Sequence, residues 1–532
     1  MSKDIIANGS TCLGIEFGST RIKAVLTDLD GKVLAIGFHD WENSLVDGIW
    51  TYSETEIYEG LRSCYKSLKD EVKKQYDVTL TSVGCIGISA MMHGYIALDK
   101  DDKMLAPFQT WRNSNTGAAA DTLTELFNFN IPLRWTISHI YQRILDGEAH
   151  VKDIDFVTTL DSFIHYKLTG EKVTGIGDAS GIFPIDSETL DYDASMVAKF
   201  DGLIADKKLP WKLLDVLPKV LVAGDLAGKL TDDGAALLDP DGDLKAGIPM
   251  CPPEGDAGTG MVATNSVAPG TGNVSAGTST FAMLVLEKGL SALHREIDMV
   301  TTPSGHPVAM SHANNGTSDL NSWVGLFHEF AGLMGLDVSI GDVFEKLYLN
   351  SLKGEADPSG LMAYGYLSGE GITGLNEGRP MFVRTPDANM NLANFMRTNL
   401  YSSLGAVSMG MNILLRDEAV RVSRITGHGG LFKTKGVAQR YLSAAVDSPV
   451  TVMDNAGEGG PWGMAVLAAY SLRKNGGHAD EKLEDFLENV VFKGAEGSTV
   501  AATAEEVEGF KSFLARYEAL LPIEREAVEK FR

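Results

Sequence analysis

A carboxylate set among glycines is the pattern in this chain that most invites chemistry: Glu254-Gly255-Asp256-Ala257-Gly258-Thr259-Gly260. Side-chain-poor surroundings let a substrate come close to Asp256. Transfer of a phosphoryl group to a hydroxyl asks for one positioned carboxylate to take the proton and for Mg²⁺ to bridge phosphate oxygens. Asp256 is therefore the candidate general base; an Asx turn is the plain alternative, and the local sequence serves it equally well. Two turns of one chemistry, Gly18-Ser19-Thr20 and Gly277-Thr278-Ser279, stand about half a chain apart. Either alone reads as an ordinary tight turn. As a pair, one from each half, they could offer backbone N–H groups and hydroxyls to nucleotide phosphates across a cleft, with no Walker lysine needed. In a third cluster, Gly427-His428-Gly429-Gly430, bare backbone would suit a flat purine ring, or would simply punctuate a helix entry. His93 could hydrogen-bond a sugar hydroxyl and Trp111 could stack on a sugar's apolar face; both could equally be core residues.

These residues need elements to hold them. Cys12 to Phe38 reads as an antiparallel meander turned at Gly18-Ser19-Thr20 and again at Asp28 to Gly31. Ser53 and Glu56 form a capping box ahead of Ile57, Leu61, Cys64, Tyr65, Leu68 and Val72, whose spacing predicts a long helix. Ser82 to Ser89 predicts a buried strand. Asn273 to Ala276 and Thr280 to Leu286 predict the second hairpin, and Val422 to Thr426 a strand followed by a helix over Lys435 to Ala445. Strands and helices alternate throughout, so both halves should be mixed α/β layers. The repeated hairpin suggests a duplicated domain pair, divided near residue 265.

A chain of 532 residues, 44% hydrophobic and 22% charged, is too long for one compact core. Its net charge of −25 argues against a nucleic-acid partner. Cys12, Cys64, Cys85 and Cys251 form no Cys-x-x-Cys pair and read as core thiols of a reducing compartment. No apolar run approaches the roughly 20 residues of a membrane span, so no membrane is expected and a cytoplasmic location is. Gly369-Glu370-Gly371-Ile372-Thr373-Gly374 fits a dinucleotide pattern only formally, because Asn376 to Pro380 follows where a helix should begin.

Taken in order, these segments resemble the FGGY carbohydrate kinases over nearly the whole chain. Leu13 to Thr20 with Lys23 resembles the family's first phosphate motif, and Gly272 to Thr280 the second. Gly255-Asp256 resembles the pair that carries the catalytic base. Asn315-Gly316-Thr317 resembles a segment bordering the nucleotide, Gly429-Gly430 the adenosine motif, and Gly457 to Leu467 the small-residue helix after it. Phe156 to Asp186 is similar to the structural stretch between the sugar residues and the base. The resemblance implies a ribonuclease-H-like, actin-like ATPase fold of two duplicated α/β domains with a catalytic cleft between them. Residues 1–265 would carry the sugar and the base, and residues 266–532 the nucleotide.

The implied ATP-binding residues are Gly18, Ser19, Thr20, Lys23, Gly277, Thr278, Ser279, Gly316, Gly429, Gly430 and Thr434. Met92, His93, Trp111, Asn113 and Asp256 would bind substrate, with Glu16 and Asp256 near Mg²⁺. Met91-Met92-His93-Gly94 resembles the Met-His-Gly element of xylulokinases, so a pentulose such as xylulose is the first expected substrate; ribulose, fuculose or glycerol are alternatives, as is a sugar sensor of the same fold without phosphotransfer. The partner is then a small sugar, and a homodimer is the assembly considered. Three departures stand out. Glu16 replaces the usual aspartate, Trp111-Arg112-Asn113-Ser114-Asn115-Thr116 stands where xylulokinases show Trp-Asn-Asp-x-Arg, and Pro253-Glu254 replaces glycines.

Overall fold

The computed structural model describes residues 2–453 and 459–531. The chain forms two compact units: Met1–Ala268 with Met299–Val308 and Gly457–Gly494, and Pro269–Asp298 with Ala309–Ala456 and Ala495–Arg532.

The first unit is built on the predicted meander. Cys12–Phe17 (β1), Arg21–Thr27 (β2) and Val33–Asp40 (β3) pair antiparallel, which sets Glu16 opposite Lys23. Cys85–Ala90 (β4) joins β1 in parallel, and the two-residue strand Glu254–Gly255 (β5) joins β4, giving the order β5-β4-β1-β2-β3. β4 starts three residues later than its apolar run suggests, because its ladder begins where its partner does, Cys12 against Cys85. The helix Glu54–Tyr76 starts at the capping box: Ser53 Oγ accepts from Glu56 N–H at 3.2 Å, and Ser53 N–H donates to the Glu56 carboxylate at 2.7 Å. It lies so close on β3 that a Cβ at Gly37 would strike the backbone of Leu68. The helix Gly459–Asn475 covers β1 as closely, since a Cβ at Gly14 would overlap the Pro461 carbonyl. All four cysteines are buried free thiols.

The second unit repeats this plan. Thr271–Ala276 (β6) and Thr280–Val285 (β7) form the second hairpin. With Ile297–Thr301 (β8), Pro307–Ala313 (β9), Arg424–His428 (β10), Val450–Met453 (β11) and Gly497–Val500 (β12), the strand order is β8-β9-β7-β6-β10-β11-β12. β10 is parallel to β6 and β11 to β10, so each sheet has an antiparallel hairpin whose first strand carries two parallel strands on its far side. This is the duplicated, mixed α/β architecture that the sequence suggested. β10 runs two residues later than Val422 to Thr426, because its ladder with β6 starts at Arg424 against Thr271. The following helix is Val437–Val446 rather than 435–445: a 3₁₀ turn, Gly430–Lys433, intervenes, and Gly436 at φ +83° sets the helix start. Around Gly369 there is a 3₁₀ turn, Gly371–Thr373, where a dinucleotide fold would need a helix.

Candidate active site

Asp256 is the first residue of the helix Asp256–Ala263, directly after β5. The Asx-turn alternative is thus set aside in favour of a helix start, where free N–H groups favour a carboxylate. Its Oδ1 accepts the backbone N–H of Met92 at 3.2 Å, and one face of the side chain stays open to solvent. The protein packed around it pushes its carboxyl above the usual range, against the pull of the Met92 and Ala257 N–H groups and of Arg134.

Met92 and His93 lie in the loop after β4, where His93 takes φ +72° and Gly94 +97°. The His93 ring is 6% exposed, lies 3.5 Å through Nδ1 from the Gly181 carbonyl, and stacks at 17° on Trp135 with centroids 6.4 Å apart. Burial, and then Arg134, hold its pKa well below the usual value. With Nδ1–H turned to the Gly181 carbonyl, a neutral imidazole keeps Nε2 as an acceptor for a hydroxyl. Gly181 is fixed by this contact, since a Cβ there would come within 2.6 Å of His93 Nδ1.

Glu16, on β1, faces Lys23 across the hairpin, and Thr259 Oγ1 lies 3.5 Å from its Oε2. Burial and then the Asp256 charge push Glu16 up to about 8, with Lys23 and Thr259 opposing. A carboxyl that a neighbouring carboxylate pushes up in this way favours a cation beside it. Among the described residues no group of three or more His, Cys, Asp or Glu side chains gathers as a metal cage, so Mg²⁺ held by Glu16 and Asp256 would keep several waters, as that ion commonly does.

Behind Asp256 lies a feature that the sequence reading missed. Glu254 is buried beside Asp178 and Asp161, and burial pushes it up to about 8 and Asp161 up to about 6. Asp178 Oδ2 accepts from Thr159 Oγ1 at 2.6 Å and from Thr174 Oγ1 at 3.3 Å. Glu254 Oε1 accepts from Gly255 N–H at 3.1 Å. Arg134, whose carbonyl accepts from Gly94 N–H, was missed as well. No local motif marks Arg134, and none discloses the buried neighbours of Glu254, because each gains its place from segments distant in the chain.

The first glycine turn rests on an aromatic bracket. Trp41 Nε1 donates to the Gly18 carbonyl at 2.7 Å and the Tyr52 hydroxyl to the Ser19 carbonyl at 2.6 Å, while the two rings stack 3.9 Å apart. Trp111, 41% exposed and so not a core residue, donates from Nε1 to Ser19 Oγ at 3.1 Å. Thr20 is exposed beside it. Asn113 is buried with its amide engaged at both ends: Nδ2 donates to the Trp50 carbonyl at 2.8 Å and Oδ1 accepts from Trp50 N–H at 3.0 Å.

In the second unit, Gly277-Thr278-Ser279 joins β6 to β7, and the Asn315-Gly316-Thr317 segment docks on it. Gly316 N–H donates to the Thr278 carbonyl at 2.9 Å, and Thr317 donates to the Gly277 carbonyl from N–H at 2.9 Å and from Oγ1 at 2.8 Å. Gly429, at φ +97°, ends β10 so close to β6 that a Cβ would come within 2.6 Å of the Ala276 carbonyl. Gly430 opens the 3₁₀ turn that Thr434 closes. Residues 277–279, 316 and 429–430 therefore gather at one end of the neighbouring strands β6 and β10. Gly457 and Glu458, at the start of the 457–467 stretch, lie outside the described residues; Gly459 onward forms a helix of the first unit.

The profile of the FGGY family of carbohydrate kinases, N-terminal domain, matches residues 11–262, and that of its C-terminal domain matches residues 272–472. The chain belongs to the FGGY family. This kinase is 23% identical over 433 residues to the xylulose kinase of Haemophilus influenzae, covering 79% of this chain and 82% of that one. Its fold is that of a gluconate kinase from Lactobacillus acidophilus (TM-score 0.77, 16% identity, 98% and 99% of the two chains). It is equally that of a ligand-bound xylulose kinase from the same organism (TM-score 0.76, 16% identity, 98% and 100%). The kinase is thus a sugar kinase of the ATP-using, actin-like architecture. Among the described residues, no helix is long and apolar enough to cross a membrane.

Proposed function

We propose that this kinase phosphorylates a small ketose, a pentulose such as xylulose first, with Asp256 as general base. The observation that carries the reading is Asp256 itself: a carboxylate at a helix start, open on one side, tied to the Met92 N–H beside His93. Met92, His93, Trp111 and Asn113 belong to the sugar side, with His93 recognising a hydroxyl and Asn113 holding the Trp50 backbone in place. Gly18, Ser19, Thr20 and Lys23 in the first unit, and Gly277, Thr278, Ser279, Gly316, Gly429, Gly430 and Thr434 in the second, serve the nucleotide. The division of labour between residues 1–265 and 266–532 is part of the same proposal.

Asp256 takes the proton of a sugar hydroxyl as its oxygen bonds to the γ-phosphorus of ATP. The bond from that phosphorus to the bridging oxygen breaks, and ADP leaves with the electron pair. Glu16 and Asp256 would hold Mg²⁺, which neutralises phosphate charge when bound. Asp256→Asn keeps the shape and removes the base, so sugar-dependent turnover in a coupled ADP-release assay should fall by on the order of a hundredfold or more. Turnover near that of the wild type would reject the assignment.

A different small ketose or polyol is the second reading, favoured by the engagement of Asn113 with Trp50, which leaves that amide little to offer a sugar. A screen of free ketoses, polyols and aldonates with ATP, read by kcat/KM, decides between them.

A further inference from the structure

The Gly369-Glu370-Gly371 string, which opens no dinucleotide fold, has a different place in the second unit. Glu370 and Leu375 exchange backbone hydrogen bonds at 2.7 and 3.0 Å, closing a small loop around the 3₁₀ turn Gly371–Thr373. Arg525, on the helix Ala504–Lys530, anchors that loop through the Thr373 and Gly374 carbonyls at 2.6 and 3.2 Å. The Glu370 side chain is fully buried and turns to one residue: its Oε2 accepts the Asn315 backbone N–H at 3.1 Å and Asn315 Nδ2 at 3.2 Å. Asn315 Oδ1 accepts the Leu367 and Ser368 N–H groups, each at 3.0 Å. Burial pushes the Glu370 carboxyl up while the Asn315 donors oppose. A carboxylate taken out of water to hold a single asparagine is a costly tie, and Asn315 leads directly into the pair that docks on the second glycine turn.

That docking decides which way the peptides of the turn face. Gly316 and Thr317 take up the carbonyls of Thr278 and Gly277. In a planar trans peptide the N–H points opposite to the C=O. With both carbonyls tied to the 316–317 segment, the N–H groups of Thr278 and Ser279 therefore point away from it. Both residues lie at the tip between β6 and β7, and among the described residues neither N–H donates to a protein acceptor. Successive amides aimed to one side make a concavity for an anion.

We propose that Glu370 is a positioning residue for the nucleotide. By holding Asn315 it keeps the 316–317 segment on the turn, and through the two carbonyls it keeps the Thr278 and Ser279 N–H groups aimed at phosphate. The inference rests on the reading of that turn as a nucleotide contact.

Calorimetric titration of the full chain with AMP-PNP, a non-hydrolysable ATP analogue, tests it without any sugar and so apart from the choice of substrate. Glu370→Ala frees Asn315 and should raise the dissociation constant about tenfold, whereas Glu370→Gln keeps the volume and an acceptor oxygen and should stay within about threefold of the wild type. Gly277→Val places a branched side chain on the turn, where a Cβ meets only the Ser279 carbonyl at 3.9 Å, and should weaken binding at least as much as Glu370→Ala. Should the alanine variant fail to fold, Glu370→Asp, one methylene short of Asn315, should shift the constant the same way with the far-UV spectrum retained. A merely structural tie would lower the Tm of Glu370→Ala and leave its constant within about twofold of the wild type; that result overturns the inference, as does an equal loss in the alanine and glutamine variants. If Gly277→Val binds the analogue as the wild type does, the nucleotide reading of the turn falls and the inference falls with it. If Gly277→Val weakens binding and Glu370→Ala does not, the turn keeps its role and the tether alone is refuted.

Discussion

Glu254 occupies a space left by three glycines. A Cβ at Gly177 would run into its carboxyl, and one at Gly175 or Gly258 would come within about 3 Å of it. The glutamate and these glycines therefore fit as one set, directly before Asp256. Glu254→Ala should open a hole and strand the Gly255 N–H, at about 1–3 kcal/mol, visible as a lower Tm together with a several-fold lower kcat. Glu254→Gln keeps the volume and the acceptor oxygen and should retain most of both; equal losses in the two variants would show that shape is not what matters. Asp256 and His93 could be picked out in the sequence because each stands beside a glycine in a short, recognisable string. Glu254 stood in the same string and was noted only as a departure. Its surroundings come from residues 161 and 175–178, and spacing carries no trace of a contact made across some eighty residues.

Loops between elements show the same contrast between local and distant signals. Glu418, just past the helix Leu392–Asn412, accepts the N–H groups of Ser291 and Ala292 at 2.8 and 3.2 Å and meets His294 Nε2 at 2.7 Å. Chiefly the Ser291 N–H, with His294 and Ala292 adding to it, holds its carboxyl down at about 2. A carboxyl whose folded pKa lies below its unfolded value stabilises the protein above the unfolded value and loses that contribution as pH falls through the folded one. Glu418→Gln should accordingly cost about 1–3 kcal/mol at neutral pH. The gap in Tm between variant and wild type should close as pH drops from 4.5 toward 2. A gap that stays constant with pH would mean that the charge contributes nothing. In the sequence, the capping box at Ser53 and both hairpin turns were legible, since a few adjacent residues specify each. The starts of β4 and β10 were not, because the register of a neighbouring strand sets them.

The repeated hairpin chemistry disclosed the duplication, but a single cut near residue 265 does not describe how the chain is distributed between its units. Each unit is assembled from three separate stretches. The helix Gly459–Asn475 packs against β1 and also against the helix Asp256–Ala263, where a Cβ at Gly463 would strike the Thr259 carbonyl. Nothing in its run of small and apolar residues tells which sheet it covers. Residues 1–265 made alone should therefore bind the dye ANS and lack near-UV circular dichroism, and supplying residues 459–494 through a flexible linker should restore packing. A rigid, dye-silent fragment would show that the late helix is dispensable.

That late arrival also shapes how the protein is made. A ribosome works from the amino end, so the inner faces of β1 and β4 emerge long before the segment that seals them. At roughly 5–20 residues per second, the wait is on the order of twenty to ninety seconds. Through that interval a nascent sheet with a bare oily flank has to be shielded by trigger-factor-like holders or lost to clumping, so the yield of this enzyme in a cell should follow chaperone supply more closely than the final stability of the finished fold would suggest.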